Sequence, residues 1–99
     1  MSIRNNAELL CAAQYGYIEL VKIILKKDDL DVNFQGAFSC SSLIVATKNN
    51  YVNIVKLLLN HKDINIDLQD NQGLTSLDWA MKLGHKEIIN FINIKKEGH

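Results

Sequence analysis

Three stretches of this 99-residue chain copy one another at a constant offset, and no other feature narrows the possible folds as far. They are AELLCAAQYGYIELVKIIL from Ala7, SSLIVATKNNYVNIVKLLL from Ser41 and TSLDWAMKLGHKEIINFIN from Thr75. Leu9, Leu43 and Leu77 are spaced by 34 residues, and so are Ala12, Ala46 and Ala80, then Gly16, Asn50 and Gly84. Asn33 and Asp67 keep the offset in the connecting segments. Repetition at such a period means that each copy is one small supersecondary unit, unable to bury its apolar face alone and stable only when stacked on its neighbours.

Each unit reads as two short helices. Thr75 with Asp78 three residues on forms a capping-box pattern at the start of the first helix, and Asn5 with Glu8 offers the same pairing in the first unit. Ser41 can cap the second unit, but Ile44 cannot reciprocate. Gly16, Asn50 and Gly84 end these helices, because Gly and Asn most readily take the left-handed conformation a helix C-terminus needs. The second helices follow at once. Ile18, Val21, Ile24 and Leu25 in one copy, and Val52, Val55, Leu58 and Leu59 in the next, recur at helical spacing. The segments DLDVNFQG and DINIDLQDNQG, polar and turn-rich, read as extended hairpin arms. The expectation is an all-α repeat fold, stacked helix-turn-helix units joined by short hairpin-like loops. It forms one domain over residues 1–96, with repeats at about 5–35, 36–69 and 70–96. Met1-Ser2 and Glu97-Gly98-His99 read as vector-derived ends, 97–99 as a tag remnant.

At this point the residues resemble the ankyrin repeat family. GLTSLDWAMKLGHKEIINFI is similar to that family's G-x-T-P-L-H-x-A-A pattern followed by G-H-x-E-I-V, through Gly73, Thr75, Leu77, Ala80, Gly84, His85, Glu87 and Ile88. The first unit matches through Leu9, Ala12, Ala13, Gly16, Glu19, Val21 and Lys22, the second through Leu43, Ala46, Ile54, Val55 and Lys56. The period of 34 also suits tetratricopeptide repeats, but their Trp, Gly and Tyr signature is missing. The family's His is replaced by Leu10, Ile44 and Asp78, which weakens the expected hydrogen-bond network at each inner turn.

Composition excludes several functions. Lys plus Arg and Asp plus Glu are 11 each, so the net charge is zero and the basic face of a nucleic-acid module is not expected. No apolar run approaches the roughly 18 residues of a membrane span. Two cysteines, Cys11 and Cys40, are too few for a secreted disulfide scaffold, so an intracellular, cytoplasmic setting is expected. No nucleophile, phosphate-loop, dinucleotide or zinc-protease motif occurs, so neither catalysis nor a cofactor is expected. Cys11 reads as a buried small hydrophobe and Cys40 as exposed near a hairpin tip, too far apart in sequence for a metal pair. The loop aspartates, Asp31, Asp67 and Asp70 among them, read as turn chemistry. Trp79 reads as core between the two helices of the last unit, with a binding role as the alternative.

The resemblance implies that a partner protein is held by the hairpin tips and the exposed side of the inner helices. By register those positions include Tyr15, Phe38, Cys40, Lys48, Asn49, Gln72, Leu74, Lys82 and Leu83. Phe38, Tyr15, Leu74 and Leu83 are apolar where solvent is expected, which marks an interaction site or packing between repeats. The expected function is therefore a protein-interaction module, monomeric or weakly self-associating. The alternative is a segment of a longer array acting in assembly, with residues around Leu10, Ile23 and Ile94 covered.

Overall fold

The computed structural model describes residues 2–98. Six helices follow one another: α1 (Ile3–Tyr15), α2 (Ile18–Ile24), α3 (Ser42–Lys48), α4 (Val52–Leu59), α5 (Ser76–Leu83) and α6 (Lys86–Glu97). The odd-numbered helices form an inner layer and the even-numbered ones an outer layer. α3 packs between α1 and α5, and α4 packs between α2 and α6. The hairpin-like loops project beside the inner layer.

Side-chain oxygens start the inner helices. Ser41 Oγ accepts from Ile44 N at 3.2 Å, and Thr75 Oγ1 accepts from Asp78 N at 3.1 Å. Asp78 Oδ2 returns the favour to Thr75 N at 3.0 Å, completing the capping box. The first unit differs from expectation. Its helix starts three residues earlier, capped by Ser2, whose Oγ accepts from Asn5 N at 3.1 Å. Asn5 instead donates from Nδ2 to Asp29 Oδ1 at 2.8 Å, and Glu8 pairs with Arg4. Ser2 also donates its backbone N–H to Asp29 O at 2.7 Å, so it belongs to the fold and is no dispensable end.

All three inner helices end alike. Gly16, Asn50 and Gly84 take φ of 78°, 58° and 73°. That reversal lets the next residue donate back into the helix, Tyr17 N to Ala12 O, Tyr51 N to Ala46 O and His85 N to Ala80 O, at 2.9–3.0 Å. Otherwise orphaned carbonyls are satisfied in this way. The alanines receiving these bonds are wholly buried, because the outer helix folds back directly over them.

The core runs the length of the stack: Leu9, Leu43, Ile24, Leu58, Ile88 and Ile92 are almost wholly buried. α3 is enclosed from both sides, and every residue from Ser42 to Thr47 is buried. Each such aliphatic side chain contributes about 1.5–3 kcal/mol. The lost family histidines are replaced by packing at Ile44, which is fully buried, and by capping at Asp78.

The hairpin arms are less regular than expected. Among the described residues no strand forms, and pairing is confined to one antiparallel bridge between Gln35 and Ser41. Side chains do the cross-linking instead. Asn6 Oδ1 accepts from Asp31 N, and Asn33 reaches the next loop twice, donating from Nδ2 to Asp63 O and accepting at Oδ1 from Asn65 N, all at 2.8 Å. Gln35 Nε2 donates to Ser39 O and to Gln69 O at 2.8 Å. Short polar side chains hold these loops where a ladder would need longer arms.

Candidate functional site

The hairpin tips and the inner helices bring most of the sequence-selected residues to one side. Two tips stand beside each other, Gly36–Cys40 and Asp70–Leu74. They share a backbone plan: Gly36 N donates to Cys40 O as Asp70 N donates to Leu74 O, and Ser39 N to Gly36 O as Gly73 N to Asp70 O, all at 3.0 Å. Phe38 O accepts from Asn71 N at 2.9 Å, locking one tip to the other.

Phe38 crowns the first tip with φ 58° and ψ 21°, and Ser39 follows at φ 59°. Two adjacent non-glycine residues in the left-handed region cost about 1–3 kcal/mol each and persist only where surroundings impose them. Here they swing the Phe38 ring into solvent, 75% exposed. Tyr15 and Leu83 are also exposed, at the C-terminal ends of α1 and α5, and Lys48, Asn49, Gln72 and Lys82 share that exposure.

Two of the expected contact residues do not. Cys40 is buried, because its side chain turns down at the root of the tip and joins the core cluster. Burial pushes its thiol pKa up; the Lys48 charge opposes that and Asp70 adds to it. Leu74 is half-buried and packs against the same cluster. Cys11 is the reverse correction: expected inside, it is exposed. Its counterparts Val45 and Trp79 are buried, so cover at this register comes from a preceding repeat, and among the described residues none stands before the first.

Between the tips and the inner helices lies a polar cluster that sequence reasoning did not assemble. Asp70 is buried at the start of the second tip, and three N–H groups converge on its carboxylate. Trp79 Nε1 donates to Oδ2 at 2.7 Å; Gln72 N and Leu74 N donate to Oδ1 at 2.9 and 3.1 Å. Burial works to raise the Asp70 pKa, but these donors and the Lys48 charge outweigh it and hold the carboxyl below its ordinary value. The Trp79 ring is buried as expected, yet at the hairpin root, with Lys48 Nζ 4.4 Å and Lys82 Nζ 5.1 Å from its centroid. Two ammonium groups beside one indole present positive charge next to the Phe38 tip. The one legible signal was that a buried tryptophan needs an acceptor for its N–H, and the nearest turn aspartate upstream is Asp70.

Of the other loop aspartates, Asp31 does turn work, its Oδ1 accepting from Asn33 N at 3.0 Å. Among the described residues no group of three or more His, Cys, Asp or Glu is placed to hold a metal ion. His85 lies at the start of α6 with Nε2 3.5 Å from Lys48 O, and His61 Nδ1 accepts from Asp63 N. His99 is outside the described residues. A depression of about 510 Å³ is remote from the tips, at the C-terminal ends of α2 and α4. Its lysines, Lys22, Lys26, Lys27 and Lys62, are accounted for by the carbonyl ends of those helices. No helix among the described residues is long and apolar enough to cross a membrane.

Comparison with known proteins agrees with this fold. The family model for ankyrin repeats matches residues 9–98 as three copies. Among solved structures, the crystal structure of EF0377, an ankyrin repeat protein, superimposes with a TM-score of 0.81 at 33% sequence identity over 86% of this chain. The chain spans 45% of that protein's length. No curated protein sequence matches.

Proposed function

Since the chain belongs to the ankyrin repeat family, whose members are in general protein-interaction modules, we propose that it binds a partner protein across the hairpin tips and the exposed side of its inner helices. Phe38 carries this reading. A strained backbone that sends an aromatic ring into water stabilises nothing in the free protein, and a ring so placed is a natural anchor for a partner's pocket. Tyr15 and Leu83 extend the apolar contact, and Lys48 and Lys82 on the Trp79 ring favour a partner with acidic groups at its rim. Asn49 and Gln72 add polar contacts. Cys40 and Leu74 act from beneath, supporting the tips.

The mechanism is rigid presentation. The tips are fixed to each other and to α5 before a partner arrives, so little ordering cost remains. The molecule measures 32 × 27 × 23 Å, so the binding surface is short and affinity modest. The chain acts without catalysis or cofactor, inside the cell. The test is affinity capture from cell extract with the wild type and with a Phe38→Glu, Leu83→Glu variant whose circular dichroism matches it. A protein held by the first and lost by the second supports the reading; identical captures overturn it.

A further inference from the structure

Lys48 and Lys82 occupy one register position in successive repeats, and Gln14 is their counterpart in the first. Both lie in the last turn of an inner helix, where a lysine ordinarily keeps company with free carbonyls. Here such carbonyls already have donors. Val45 O accepts from Asn49 Nδ2 at 2.9 Å, and Ala46 O and Thr47 O accept from Tyr51 N and Asn50 N at 3.0 Å. In α5, Ala80 O accepts from His85 N at 2.9 Å and Met81 O from Gly84 N at 3.3 Å. The two ammonium groups turn instead to the Trp79 ring, Lys48 from the preceding repeat and Lys82 from the same helix. Among the described residues the ion pairs are Arg4–Glu8 and Lys22–Glu19, and neither Lys48 nor Lys82 has a carboxylate within ion-pair distance.

The ring keeps the two like charges together. Each ammonium is attracted to the indole, at 4.4 and 5.1 Å from its centroid. The indole is itself fixed, because Nε1 donates to Asp70 Oδ2 at 2.7 Å. Asp70 does not pair with the lysines. Its carboxylate is engaged by Trp79 Nε1 and by the N–H groups of Gln72 and Leu74, and it is buried while both lysines are exposed. Two cations beside one buried carboxylate leave a surplus of one positive charge at the surface. A carboxylate matches that surplus and has an oxygen for each ammonium. A phosphate monoester, at about −1.5 to −2, brings more charge than the site takes.

Resting on the tip-surface reading, we propose that Lys48 and Lys82 form one carboxylate-binding site over the Trp79 ring. The partner is an acidic peptide segment, with an Asp or Glu beside the apolar side chain that meets Phe38. The site adjoins the tip, since Asn71, next to Asp70, donates its N–H to Phe38 O at 2.9 Å. An acid held by both lysines ties the second repeat to the third and fixes the register of the segment. Rim charges, by contrast, mainly steer the encounter.

The test is selection from a phage library of random dodecapeptides on the wild type, followed by titration of the selected synthetic peptides. Binding is read in the emission of Trp79, the only tryptophan of the chain. The expected peptides carry an Asp or Glu next to an apolar residue. Changing that acid to its amide should weaken binding about threefold or more, and so should Lys48→Met or Lys82→Met, which keeps the stem and removes the charge. The amide peptide should be indifferent to both lysine variants. The amide change is made in the peptide, so it holds whatever the variants do to stability. Selected peptides without an acid, acidic peptides that ignore both lysines, binding that leaves the Trp79 emission unchanged, and a library that yields no binder each overturn the proposal. Phe38→Ala separates the two readings. Peptides that need Phe38 but neither lysine overturn this site alone, whereas peptides indifferent to Phe38→Ala overturn the tip-surface reading with it.

Discussion

The two hairpin tips have one hydrogen-bond plan and two ways of holding it. Gly36–Cys40 and Asp70–Leu74 are counterparts residue by residue, and the same pair of backbone bonds closes each. In the second tip the reversal falls on Gly73, at φ 79°, and a buried carboxylate gathers three N–H groups beneath it. In the first tip the same reversal falls on Ser39, and the carboxylate position is Gly36. A side chain there would have to displace Leu10, whose Cδ2 presses on the place a Cβ would occupy. The second tip is therefore held by its own chemistry. The first is held by its neighbours: Gln35 Nε2 on Ser39 O, Asn71 N on Phe38 O, and Leu10 against Gly36. A tip held from outside can carry a strained, exposed aromatic, whereas the self-sufficient tip carries Gln72 at the matching position.

Breaking the carboxylate has the largest expected effect. Asp70→Ala strands three donors, two of them backbone, and should lower unfolding free energy by about 3 kcal/mol in urea titration. A loss under 1 kcal/mol, on the order of a surface change, would mean that the second tip too is held from outside. The same group gives that tip an acid dependence. Its pKa in the folded chain is depressed, so its contribution is fully present above the unfolded value of about 3.9 and is lost as pH falls through the folded value. Urea titrations across acid pH should show that loss in the wild type and a flatter profile in Asp70→Asn.

Gly36→Ala probes the first tip. The new methyl meets Leu10 and should cost about 1–2 kcal/mol. In a Leu10→Ala background the added cost should vanish, a non-additivity that a double-mutant cycle reads directly. Ser39→Gly removes the left-handed penalty and should raise stability by about 1 kcal/mol, while the equivalent Gly73→Ser should lower it. Smallest in energy is a difference in thiol access. Maleimide labelling followed by mass spectrometry should modify Cys11 quickly and Cys40 only on unfolding. Fast labelling of Cys40 would show that the first tip opens in the native state.

Local signals account for what was readable in advance. Ser41, Thr75 and Asp78 cap helices through hydrogen bonds spanning three residues, and Gly16, Asn50 and Gly84 end them through their own backbone preference. Such features depend on neighbours in sequence, so the repeat, its two-helix plan and its family were legible from the chain. The start of α1 was not, because Ser2 is drawn into place by Asp29, far along the chain. Of the surface residues, Phe38, Tyr15, Lys48, Asn49, Gln72, Lys82 and Leu83 lie where register put them, since an exposed tip or helix end needs no partner to be exposed.

Burial was decided by tertiary packing. Cys11, Val45 and Trp79 occupy one register position and meet three different fates: solvent, core, and a hydrogen bond to Asp70 between two lysines. Cys40 turned inward because the tip above it reversed at Phe38 and Ser39, a conformation their side chains do not favour. The repeating unit and the surface it exposes follow from the order of residues, because caps and helix ends are short-range. Which positions lose water and which charges meet follows from the packing of the folded stack, because each position is covered by the next or the preceding unit.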